Sequence, residues 1–171
     1  MNKKKKELIK KLSTDALEDL KLLNEEFEQI KSKGNKKKNR KLEEMGFIGD
    51  YELESLYEKR KDRKYAALTV ELYALVEQLL KDIYKVVKPG DKYKNSSKKN
   101  VILDLEEKLK GNFTFENNTQ LLANLRSHVV HVDFSLKKAR LIFDKSSKSN
   151  KKLFKKLLNE VENYITKNLD C

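Results

Sequence analysis

The heptapeptide Leu125-Arg126-Ser127-His128-Val129-Val130-His131 holds both histidines of the chain and one of its five arginines. Where 34 lysines stand beside five arginines, an arginine here points to a planar, five-donor fork rather than to charge alone. Histidine has the ordinary pKa suited to proton transfer near neutrality. Together the two suffice to cleave a phosphodiester by its neighbouring 2′-hydroxyl. The guanidinium neutralises the phosphate, the imidazole moves the proton, and RNA itself supplies a nucleophile already in place.

Each residue also has a plainer reading. His131 fits a helix C-cap or a packed surface histidine. His128 falls about 20° from Leu121 on a helical wheel and suits packing or an interface better than catalysis. The two histidines, three apart, could hold a metal, but only Asp133 is near enough in sequence to be a third ligand. Arg126 could pair with an acid such as Glu116, while Ser127 and Asp133 could orient a side chain or a phosphate. Spacing sharpens the question. Five residues of α-helix turn through about 140° and rise about 7.5 Å. Arg126 and His131 can therefore serve one phosphate only if the helix ends or bends near Val130, or if a second subunit completes the site.

Other machinery is missing from the sequence. It has no glycine-rich phosphate loop, no nucleophile elbow and no zinc spacing. Cys171 is the only cysteine, so an intrachain disulfide is excluded, and neither a cofactor nor a metal is expected. The longest apolar stretch, Ala66 to Leu80, is interrupted by Glu71 and Glu77, and no membrane span or secretion signal is expected. A cytoplasmic protein follows as the expectation.

The elements that must carry the heptapeptide are helical. With 171 residues, five glycines and one proline, the chain is a single domain rich in helix formers. Leu53, Leu56 and Tyr57 lead into a stripe from Leu68 to Val87, predicting a long helix from about Asp50 to Val87. Leu12, Leu20, Leu23, Phe27 and Ile30 mark a first helix within a helical extension, residues 1–45. Ile102, Leu105 and Leu109 mark a short helix; Leu121, Leu122, Leu125 and Val129 mark the one carrying the heptapeptide. Leu136 to Phe143 adds another, and Leu153 to Leu169 the last, with Ser149 or Asn150 as its N-cap. Loops are expected at Lys33–Asn39, from Lys88-Pro89-Gly90-Asp91 through Asn95-Ser96-Ser97, at Gly111-Asn112 and at Ser146–Asn150. The fold class is all-α: a small bundle of about five helices over residues 50–169, plus the extension.

Net charge is +12. Residues 100–136 are net acidic at −2, whereas residues 137–171 carry +6. A polyanion is one partner this implies, and Lys151, Lys152, Lys155 and Lys156 are the candidate RNA contacts. A bias toward lysine codons explains the same charge without a partner.

Arg126 and His131, with four residues between them, resemble the Arg-x(4–6)-His motif of HEPN domains. Leu121-Leu122-Ala123-Asn124-Leu125 resembles the helix that leads into that motif, and Tyr73–Tyr84 resembles the family's principal core helix. The likeness covers roughly Asp50 to Leu169. It implies a dimeric, metal-independent endoribonuclease of a toxin–antitoxin or phage-defence system, with Arg126 and His131 catalytic in a cleft shared by two subunits. Ser127, His128 and Asp133 would support them. The expected partners are RNA, a second copy, and a cognate antitoxin or defence-complex subunit. Ser127 stands where the family often has Asn, and His131-Val132-Asp133 departs from the His-x-Tyr of toxins paired with a nucleotidyltransferase. The alternative is a non-catalytic HEPN-like module that binds RNA or nucleotide, or joins subunits.

Overall fold

A computed structural model describes residues 2–45, 50–95, 100–115 and 119–169. Glu116, Ser96, Ser97 and Cys171 lie outside the described residues. Among the described residues six helices follow in order: α1 (Lys3–Met45), α2 (Asp50–Val87), α3 (Val101–Leu109), α4 (Gln120–His131), α5 (Leu136–Phe143) and α6 (Asn150–Leu169). No strand occurs among the described residues.

Helix α2 is the axis of the bundle and packs against each of the other five. Its sequence explains this. Tyr65, Ala66, Leu68, Leu72, Tyr73, Val76, Leu79, Leu80, Ile83 and Tyr84 are all buried, an apolar surface too wide for one neighbour to cover. Helix α1 lies antiparallel along it. The Lys5 ammonium donates to the Val87 carbonyl at 3.0 Å, and the rings of Phe27 and Tyr65 stand 6.0 Å apart. Phe154 of α6 closes that cluster, 5.2 Å from Phe27.

The N-terminal segment is thus part of the core: Ile9, Ala16, Leu20, Leu23 and Phe27 are buried in the same cluster as α2 and α6. The loop expected at Lys33–Asn39 is instead a continuation of α1. The segment has no proline; its one interior glycine, Gly34, weakens a helix by only about 1 kcal/mol, and lysine is a good helix former.

Short polar devices set the remaining ends. Pro89 and Gly90 turn the chain after α2, with Gly90 at φ 88° as a type II turn requires at its third position. The Asn100 side chain caps α3 by accepting from the Ile102 amide. Ser135 caps α5 by accepting from the Lys138 amide, and Ser149, of the two candidates, caps α6 by accepting from the Lys152 amide at 3.2 Å.

Candidate active site

Helix α4 is fastened by Leu122, Ala123, Leu125 and Val129, all buried, and this fixes where the polar residues between them emerge. Arg126 is half-buried. Its guanidinium carbon lies 4.9 Å from the centroid of the Tyr73 ring on α2, a cation–π contact. The Tyr73 hydroxyl donates to Asn100 Oδ1 at 2.7 Å, and the same oxygen caps α3. Burial pushes the Tyr73 phenol above its ordinary pKa, with Glu77 adding to the rise and Arg126 opposing it. Tyr73 therefore stays neutral, a fixed platform under the guanidinium. Arg126 Nε is buried without a hydrogen-bond partner. Such a donor is costly to leave unmatched.

Arg126, Ser127 and His131 line one cavity of about 420 Å³, with Tyr73 and Glu77 of α2 and Asn100 before α3 on its other walls. The motif residues thus face one cavity within a single chain. Helix α4 ends at His131: the amides of Val132 and Asp133 both return to the His128 carbonyl, at 2.9 and 3.1 Å. His131 lines the cavity from the α4 face it shares with Gln120, Asn124 and Ser127, and the long Arg126 side chain enters from beside that face. Glu77 contributes a carboxylate, engaged by Lys81 at 2.5 Å.

The remaining sequence candidates part company. His128 does not line this cavity and sets its ring edge-on to Phe143, 6.0 Å between centroids, a packing role. Asp133 pairs with Lys138. Among the described residues no three His, Cys, Asp or Glu side chains converge as a metal site would require. Lys151 lines a second cavity, at the start of α6. Lys152 and Lys155 are exposed, and Lys156 is paired with Asp144 at 3.1 Å. Burial works to raise the Asp144 carboxyl, but bonds from Ser146, Ser147 and Lys156 outweigh it and hold the group well below the usual carboxylate range.

Two residues that shape the site were not among the sequence candidates. Tyr73 reads in sequence as one more apolar position of α2, and nothing there pairs it with an arginine 53 residues later. Asp62 accepts from Ser135 Oγ (2.5 Å), the Lys137 amide (2.7 Å) and Asn150 Nδ2 (2.7 Å), which pins the turn after His131 to α2.

An exposed apolar surface flanks the motif. Val130 stands in the last turn of α4, Val132 and Phe134 follow it, and Leu141, Ile142 and Phe143 end α5, with Val132 71% and Ile142 57% exposed. No helix among the described residues is long and apolar enough to cross a membrane.

The fold and site define an all-α bundle with an arginine–histidine cavity at the end of its fourth helix. No protein-family model matches the chain, and neither does any curated protein or solved structure.

Proposed function

We propose that this protein is a metal-independent endoribonuclease of HEPN type, working as a homodimer in the cytoplasm within a toxin–antitoxin or phage-defence system. The observation that carries the reading is the shared cavity: Arg126 and His131 line one concave site, with the Arg126 guanidinium braced on the Tyr73 ring. In this reading Arg126 holds the scissile phosphate and neutralises the charge that builds up in the transition state. His131 is the general acid–base group. As base it takes the proton of the 2′-hydroxyl, which attacks the adjacent phosphorus. As acid it returns a proton to the departing 5′-oxygen. The products are a 2′,3′-cyclic phosphate and a 5′-hydroxyl. Tyr73 and Asn100 keep the guanidinium in place and do not touch the reacting atoms. The exposed residues from Val130 to Phe143 supply an apolar surface beside the motif, and a second copy burying it would bring two motifs together. An antitoxin or a defence-complex subunit would cover the same region to silence the site.

The test is incubation of purified protein with RNA, with and without EDTA, beside Arg126→Ala and His131→Ala. Cleavage that survives EDTA, leaves cyclic phosphate ends, spares a 2′-deoxy linkage and disappears in both variants is expected. Activity abolished by EDTA and restored by manganese or zinc would overturn the mechanism. RNA binding without cleavage would return the non-catalytic module. In cells, expression should stop growth and His131→Ala should relieve the arrest.

A further inference from the structure

A second cavity, of about 470 Å³, lies where α2, α5 and the start of α6 meet. Its volume is in the roughly 300–1,000 Å³ range of ligand sites. The cations lining it are Lys59, Lys61, Lys137, Arg140, Lys148 and Lys151. Two carboxylates, Glu58 and Asp62, face them, so the lining is net +4. Asp62 is already committed to its three donors.

The site is built as well as charged. The Arg140 side chain donates through Nε to Asn150 Oδ1 at 3.2 Å and through Nη1 to the Ser147 carbonyl. One arginine thus fixes the loop that enters α6. Among the described residues, Lys59, Lys61, Lys137 and Lys148 make no ion pair. The positive end of the α6 dipole adds to the same potential. Like charges crowded into a concavity repel one another, and a bound polyanion relieves that repulsion.

Helix geometry relates this cavity to the one holding Arg126 and His131. Ser55 and Lys59 line the basic cavity, and Tyr73 and Glu77 line the motif cavity. Each pair is offset by 18 residues, which is five turns of α-helix and about 27 Å of rise. The arcs of α2 that line the two cavities therefore overlap, Tyr73 and Glu77 repeating, five turns on, the edge that Ser55 and Lys59 occupy. At about 3.4 Å per stacked nucleotide, some eight nucleotides bridge them.

We infer that the basic cavity binds phosphates of an RNA backbone whose cleavage site lies about 27 Å away, at Arg126 and His131. It holds the substrate in register rather than acting on it. The inference takes RNA from the reading above, but its test needs no cleavage. The overlap of the two arcs along α2 favours RNA over an anionic membrane, because one strand can run from one cavity to the other.

The experiment measures binding of a 16-nucleotide 2′-O-methyl RNA, which lacks the attacking hydroxyl, across a range of salt concentrations. The test variant is Lys59→Gln with Lys148→Gln. Both lysines are exposed and unpaired, so the fold should be kept, and circular dichroism verifies it. A control variant, Lys3→Gln with Lys10→Gln, removes the same charge from exposed positions on the N-terminal part of α1. Each lost phosphate contact on a single strand flattens the log–log salt slope by about 0.7. The test variant should therefore lose about 1.4 from the slope and about 25-fold in affinity at 0.1 M salt, and the control much less.

Equal losses in the two variants would overturn the inference in favour of diffuse charge. So would unchanged RNA binding together with loss of binding to phosphatidylserine vesicles. RNA cleaved with KM unchanged in the test variant would sink the basic cavity while leaving the ribonuclease standing. The expected slope change in a protein that cuts no RNA would do the reverse.

Discussion

Replacing Asp62 with alanine removes a side chain that ties α2 to the starts of both α5 and α6. Its carboxylate accepts from Ser135 Oγ, the Lys137 amide and Asn150 Nδ2 at 2.5 to 2.7 Å. Hydrogen bonds to a charged group contribute about 1.5–3 kcal/mol each. The three will not add fully, because the Lys137 amide is exposed and water can replace the carboxylate there. A net loss of about 3 kcal/mol is the reasoned figure. For a chain of this size each kcal/mol lowers Tm by about 2–4 °C, so calorimetry should find a fall of about 6–12 °C. Asp62→Asn retains one acceptor oxygen but turns an NH2 group toward donors, so it should lose roughly half as much. The effect should also be local. Amides from 132 to 140 should exchange with deuterium sooner than those of α1, because the turn after His131 has lost its tether while the Phe27–Tyr65–Phe154 cluster has not. If Asp62→Ala falls within about 0.5 kcal/mol of the parent in urea titration, or leaves exchange over 132–140 unchanged, the assigned anchoring is wrong.

Arg126→Lys keeps the charge but loses the fork, and RNA cleavage should drop at least tenfold, about 1.4 kcal/mol of transition-state stabilisation. Tyr73→Phe, which keeps the ring under residue 126, should stay near parental activity, and Tyr73→Leu should not; kcat with each variant distinguishes a platform from a proton donor. Burial raises the Glu106 carboxyl above its ordinary pKa despite bonds from Thr119 and Tyr164 and the nearby charge of Lys110. The folded state therefore takes up its proton before the unfolded state does as pH falls, and the penalty on the parent is present at pH 7 and fades below the usual carboxylate range. Glu106→Gln should accordingly be more stable than the parent in urea at pH 7, with the advantage vanishing near pH 4. Leu141→Asp with Ile142→Asp should give a folded monomer in light scattering where the parent is a dimer, and a parent that is already monomeric would remove the apolar surface from the proposal.

The legible parts of this fold were those written in period and punctuation. The bounds of α2 follow from an apolar stripe stopped by Lys88-Pro89-Gly90, and those of α5 from the run Leu136 to Phe143. The passage of α1 through Lys33–Asn39 was not legible, because lysine, asparagine and glycine signal a loop while the absence of proline leaves a helix free to run on. His128 was legible as a packing residue, since its place on the wheel set it beside Leu121. Tyr73 under Arg126 could not be read, because a tyrosine within an apolar stripe looks like core until the fold supplies its partner. The basic cavity was hidden for the same reason. Its lysines come from three separate segments, whereas the conspicuous run at 151–156 disperses around α6, leaving Lys151 in that cavity and giving Lys156 to Asp144.

One relation joins the two constraints on the motif. Tyr73 underlies Arg126, and Asp62 anchors the turn that follows His131. These α2 residues are eleven apart, three turns of helix, and so fall within about 20° of the same face. Helix α2 thus acts as the template on which both ends of the five-residue spacing are held. The spacing alone would send Arg126 and His131 to different faces. The reach of the Arg126 side chain, laid over Tyr73, brings the guanidinium to the cavity that His131 lines from its own face of α4. Substitutions on this face of α2 should therefore alter the motif without contacting a phosphate. Changes at Val130 or Val132, each one residue from His131 in sequence but on the exposed apolar surface, should instead alter whatever covers the site.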